Sequence, residues 1–224
     1  MEALEVLHEA GICVLPTDTE MIAAHYGIKV VSYSSVCEIY EKDMAELYGI
    51  SRHGYSFFDD GHYICAINEN ACGETRRRWT IAHELSHCLL GHVAGEERRH
   101  TPEEERAAEC FAAELLAPLA VVNFCGVSSA GELMRLCRLS GQAAGIRFGE
   151  LTARRREAAR GIFSGQSGGA SALGGSELRC VSDFSGFISR YLLERARRDA
   201  NGRSFPQGRD RLIAVAPQNR MTVF

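Results

Sequence analysis

The sequence predicts an α+β domain with a small antiparallel sheet and two long helices, followed by a further helical segment and a basic C-terminal tail. Three observations carry that prediction. A turn signal at Asp60-Gly61 separates two β-prone runs, GYSFF and HYICAIN, which reads as a hairpin. The stretches RRRWTIAHELSHCLLGH (76–92) and HTPEEERAAECFAAELLAP (100–118) both place apolar residues at helical spacing. Charge then changes along the chain: residues 1–150 hold 12 Lys/Arg against 23 Asp/Glu, whereas residues 151–224 hold 13 Arg against 6 Asp/Glu.

Composition narrows the class. A chain of 224 residues with 46% hydrophobic content can bury a sizeable core. No run of 18 apolar residues is present, and MEALEVLHEAGICVLP has acidic residues where a signal peptide would be positive, so a cytoplasmic protein with no membrane partner is expected. The nine cysteines are scattered, odd in number and free of C-x-x-C pairs, which reads as reduced thiols serving mostly as small core residues.

Residues 2–10 read as a helix stopped by Gly11, and TDTEMIAAHYG as a second helix with Thr17, Asp18 or Thr19 as its cap and Gly27 as its stop. IKVVSY reads as a strand and residues 35–48 as one helix. The second strand of the hairpin, Tyr63 to Asn68, runs toward the motif helix. GIFSGQSGGASALGGS (161–176) has the Gly/Ser content of a flexible linker. The expected organisation is therefore a domain over 1–160, a linker over 161–176 and a basic extension over 177–224.

The motif helix is expected over about residues 77 to 91. Ile81, Leu85, Cys88 and Leu89 form its buried stripe, and His83 and His87 share another face about half a turn away. Two imidazoles at i, i+4 can converge on one Zn²⁺. The intervening Glu84 then reaches a water in the open position, so the H-E-x-x-H spacing points to metal-assisted hydrolysis. A third protein ligand is needed. Thr101 as N-cap, Pro102 at the first helical position and Glu104 at the third start the next helix with a capping box, and Pro118 marks its end. Its buried stripe is Ala108, Phe111, Ala112 and Leu115, and Glu105 and Glu109 lie one turn apart. One of these carboxylates can bind the metal and the other orient a ligand histidine from behind. Glu103 and Glu104 simply complement the helix dipole.

RRRWTIAHELSHCLLGH followed by ERAAECFAAELLAP resembles the ImmA/IrrE-type metallopeptidases: an Arg-rich lead-in, then [FW]-T-[IL]-A-H-E-[LI]-[GS]-H, then E-x-x-A-N-x-F-A-A-x-L-L-x-P. The likeness extends to LHEAGICVLPTDTEMIAAHYGIKV and GVSSAGELMRLCRL, covering roughly residues 4 to 140. The resemblance implies a zincin-like fold, a Zn²⁺ site of His83, His87 and Glu105, and Glu84 as general base. Position 109, usually Asn in the family, is Glu here, and Ser86 stands where Gly is more frequent. The resemblance also implies a protein substrate, a helix-turn-helix repressor that binds DNA, and hence a role in transcription regulation. An extended substrate is expected beside the Tyr63–Asn68 strand. Tyr63, His92 and His100 are candidates to stabilise an oxyanion, none favoured by spacing.

Residues 126–141 read as a helix capped by Ser128 or Ser129 with Leu133, Leu136 and Cys137 inward. The segment packs on the core more readily than it reads DNA, because its charge is thin. TARRREAAR (152–160) and RYLLERARR (190–198) read as arginine-rich helices with solvated faces. The alternative function is a non-proteolytic zinc-containing regulator that binds nucleic acid or a partner through this tail.

Overall fold

The computed structural model describes residues 1–71, 73–93, 100–163 and 173–201. Helix α1 (Ala3–Glu9) and helix α2 (Thr19–His25) open the chain. Asp18 caps α2 by accepting from the backbone N–H groups of Glu20 and Met21. Strand β1 (Lys29–Ser32) then leads directly into a helix, because Ser32 caps it and the Glu69 carboxylate accepts the N–H groups of Tyr33 and Ser34. The single helix expected over 35–48 is two, α3 (Tyr33–Tyr40) and α4 (Met44–Ile50). Glu41 takes a left-handed conformation (φ 53°), and an Asp43–Glu46 capping box restarts the chain as α4.

Strands β2 (Gly54–Asp59) and β3 (His62–Ile67) form the expected hairpin, with Asp60 and Gly61 both at positive φ as a tight primed turn requires. The sheet is not purely antiparallel, however. Its order is β1-β3-β2, and β1 pairs with β3 in parallel. The chain crosses over through α3 and α4 between these strands, a non-local pairing that leaves no mark in local periodicity.

Helix α5 (Glu74–Leu89) packs on β2 and β3 and against α6 (Pro102–Leu116). At its start the Arg78 guanidinium donates to the carbonyls of Thr17 and Cys137, fixing the helix between the N-terminal segment and the helices that follow. Short helix α7 (Leu119–Phe124), α8 (Ala130–Cys137) and long α9 (Gly141–Phe163) come next. Ser129 caps α8, and Leu133, Cys137, Ala144 and Leu151 enter the main core, as expected for a pair packed on the domain.

The expected linker is occupied at both ends by helix, since α9 runs to Phe163 and α10 (Gly175–Asp183) begins at Gly175; residues 164–172 lie outside the described ones. Nor is the segment from 177 a separate extension as far as residue 201. Helix α10 packs on α1 and α7, and α11 (Ser185–Asn201) follows it, with Cys180, Phe184 and Ile188 buried in the same core as Leu85 and Leu115. Several tail arginines serve this packing. Arg155 donates to Asn123 Oδ1 and the Val127 carbonyl, Arg195 to the carbonyls of Cys125 and Gly126, and Arg154 pairs with Glu177. Arg155 and Arg195 thereby supply donors to the carbonyls of Cys125, Gly126 and Val127, just past the end of α7. Among the described residues no helix is long and apolar enough to cross a membrane. Of the eight described cysteines, five are buried and none forms a disulfide.

Candidate metal centre

Helix α5 places its two histidines on the side that faces α6 and the groove. Their Nε2 atoms lie 3.2 Å apart. Glu105, in the first turn of α6, brings Oε2 to 3.3 Å from His83 Nε2 and 3.8 Å from His87 Nε2. A tetrahedral ion with bonds of about 2.05 Å would have ligand-to-ligand edges of about 3.3 Å, so these three donors already stand at nearly the separation that a shared ion demands. Two imidazoles and one carboxylate with room for a fourth position is the donor set of a hydrolytic zinc site. Among the described residues, these three are the group of His, Cys and acidic side chains close enough to hold a metal ion.

The histidines are more enclosed than their distance from the apolar stripe suggested. His87 is 1% exposed, covered by the segment after α5 and by the start of α6. Burial first, then the neighbouring His83, His100 and His92, push its pKa down to about 3, so its imidazole is neutral and carries a lone pair for a metal. Burial also lowers the pKa of His83, against the opposing charges of Glu105 and Glu109. Glu109 lines the groove one turn beyond Glu105 and is exposed. It acts on His83 through its charge.

Glu84 points to the other side of the pair. It is 6% exposed, and its Oε2 accepts a hydrogen bond of 2.9 Å from Ser56 Oγ on β2. Burial pushes its carboxyl up to about 7, the Ser56 bond pulls the other way, and Glu105 adds to the rise. The sequence reading missed Ser56, because its place follows from the hairpin register across 28 residues and no motif marks it. Close approach of β2 to α5 makes the contact possible: a Cβ on Gly54 would lie 2.6 Å from Thr80 Cγ2. Ser86, 0% exposed, satisfies its hydroxyl on the Ala82 carbonyl at 2.7 Å, which explains why a buried polar residue is tolerated there.

These groups open onto a groove of about 860 Å³ lined by β2 along its whole length, by Trp79 and Thr80 of α5 and by Tyr40 of α3. The expected strand beside the groove was β3, but β3 is central, with a neighbour on each side; β2 is the edge strand that faces the site. Of the three candidates for oxyanion stabilisation, His92 and His100 line the groove close against His87. Tyr63 instead packs edge-on to Phe58 and does not line it.

Comparison with known proteins agrees with this geometry. A peptidase family model described as the IrrE N-terminal-like domain matches residues 25–125, the segment from the end of α2 through α7. A search of curated proteins finds no match. The matched segment contains the two motif histidines, Glu84, Glu105 and the strand that faces them, and this chain therefore carries, over residues 25–125, a domain of the ImmA/IrrE peptidase type.

Proposed function

We propose that the protein is a zinc-dependent endopeptidase that cleaves a regulatory protein, a helix-turn-helix transcriptional repressor. The convergence of His83, His87 and Glu105 within metal-ligand distance of one another, beside a buried carboxylate, is the observation that carries the catalytic part. The choice of a repressor rests on the family likeness. A zinc ion held by those three side chains supplies Lewis acidity, polarising the scissile carbonyl and making water acidic enough to deprotonate near neutral pH.

The remaining steps belong to the chain's own residues. Glu84 takes a proton from the attacking water and hands it to the departing amine. The Ser56 hydroxyl holds Glu84 Oε2 and leaves Oε1 to exchange the proton. An extended substrate segment adds to the outer side of β2 through main-chain hydrogen bonds, which sets its scissile bond in front of α5. Glu109 contributes negative charge at His83. The alternative of a regulator acting through its arginines has less support, because Arg154, Arg155 and Arg195 already have partners within the fold.

Incubating parent and Glu84→Gln proteins with the repressor encoded nearest to this gene, and weighing the products, tests the proposal. Cleavage by the parent should drop by roughly 10² or more in the variant with zinc content unchanged. Equal cleavage by both proteins would refute the role of Glu84, and no cleavage by either would refute the activity.

A further inference from the structure

We infer that His92 positions the metal-binding imidazole of His87 by accepting its Nδ1–H, and that this bond governs how tightly the site holds a divalent cation. The inference rests on the metal-site reading above and adds to it a residue outside the ligand set. Helix α5 ends in a two-bond turn. Gly91, at φ +74°, donates its N–H to the Cys88 carbonyl at 3.1 Å, and His92 donates its N–H to the His87 carbonyl at 2.9 Å. Such a turn folds the second residue past the helix back over the residue five positions earlier. The same pair then meets a second time through its side chains, with His87 Nδ1 and His92 Nδ1 3.1 Å apart.

Two ring nitrogens at that distance need one proton between them. His87 Nε2 faces His83 Nε2 and Glu105 Oε2, so its lone pair is the one directed at the ligand cluster and its proton sits on Nδ1. His92 Nδ1 is then the acceptor and carries its own proton on Nε2. The His100 ring stacks on His87 with centroids 3.8 Å apart and planes 13° from parallel, which blocks rotation of His87 about its last bond. One neighbour fixes the ring plane, and the other fixes which nitrogen is bare.

A ligand histidine usually gives its second N–H to a carboxylate or a carbonyl, and loss of that partner weakens metal binding 10- to 100-fold. An imidazole acceptor is uncharged, so it orients His87 while adding less electron density than a carboxylate would. Two substitutions separate the acceptor from the ring that carries it. His92→Phe keeps the ring and removes the acceptor, whereas His92→Asp keeps an acceptor and removes the ring.

Zinc affinity of the full chain, measured by competition with a chromophoric chelator, is the readout, with the melting temperature of the metal-stripped proteins measured alongside. His92→Phe should bind zinc roughly 10- to 100-fold more weakly than the parent with a metal-free melting temperature close to the parent's, and His92→Asp should match or exceed the parent. Parent-like affinity in His92→Phe would overturn the inference. Affinity in His92→Asp as weak as in His92→Phe would overturn it too, since an acceptor at that position would then restore nothing. A parent protein that binds no zinc would instead refute the metal site itself, before any variant is compared.

Discussion

Gly54→Ala should loosen the contact between the sheet and the catalytic helix. The added Cβ would stand 2.6 Å from Thr80 Cγ2, 2.9 Å from the Ala66 carbonyl oxygen and 3.2 Å from Ile67 Cδ1. Unstrained carbon pairs sit at roughly 3.5–4 Å, so the first contact overlaps by about 1 Å. Thr80 is 5% exposed on a helix, where a branched side chain has few rotamers to escape into, and Ala66 belongs to the central strand. Strand β2 itself must therefore move. Overpacking of this kind costs about 1–3 kcal/mol, while replacing Gly by Ala restricts the unfolded chain and returns about 0.4–1 kcal/mol, leaving a net loss of about 1.3 kcal/mol at the middle of both ranges. Urea denaturation measures it. Thr80→Ser in the Gly54→Ala background removes Cγ2 and should recover part of the loss, the part due to Ala66 remaining. Stability of Gly54→Ala equal to or above the parent's would refute the reasoning, as would a double variant no more stable than Gly54→Ala.

Three further outcomes are expected. Glu105→Ala should weaken zinc binding about a hundredfold or more, measured by chelator competition; full zinc retention would transfer the ligand role to Glu109. Phe184→Ala, at a site with 0% exposure just past α10, should cost about 3–5 kcal/mol in denaturant titration, whereas Leu178→Ala, at 56% exposure within α10, should change little. The hydrogen bond from Arg154 holds the Glu177 carboxyl below its ordinary value, so its stabilisation is complete above about pH 4.5 and fades as the pH falls through the lower folded value. Arg154→Met should accordingly lose less stability than the parent between pH 6 and pH 3, as read by thermal melts.

Local chemistry made some elements readable and left others hidden. The start of helix α6 could be placed to the residue because Thr101, Pro102 and Glu104 form it by their own side chains. The Asp60-Gly61 turn fixed the hairpin in the same way. The break between α3 and α4 was hidden because the apolar spacing continues across it, while a left-handed Glu41 ends one helix and the Asp43–Glu46 capping box starts the next. The place of β3 between two neighbours depends on pairing with β1 some 35 residues away in sequence, which no window of sequence contains. At the site, the H-E-x-x-H spacing located His83, Glu84 and His87. The burial of His87 and the bond from Ser56 come from other elements closing over α5. The basic tail misled for a related reason: arginines that cap carbonyls look the same in composition as arginines that face water.

The core that unites Val6, Leu85, Leu115 and Phe184 is longer in sequence than the segment that matches the peptidase family. The unit a catalogue of domains would cut out and the unit that folds are thus different lengths of chain. Helix α6 joins them: its first turn carries Glu105, while Ala112 and Leu115 further along are buried, with the Leu115 carbonyl accepting a hydrogen bond from the hydroxyl of Thr17, 98 residues earlier in the chain. A protein trimmed to residues 25–125 would keep every ligand atom and lose Thr17, α1 and α10, the supports that aim one of them. The flanking helices answer to a different pressure from the motif. Their buried side chains are held to filling a volume rather than to any particular chemistry, so volume-conserving apolar substitutions there should be tolerated where a change at a ligand position is not.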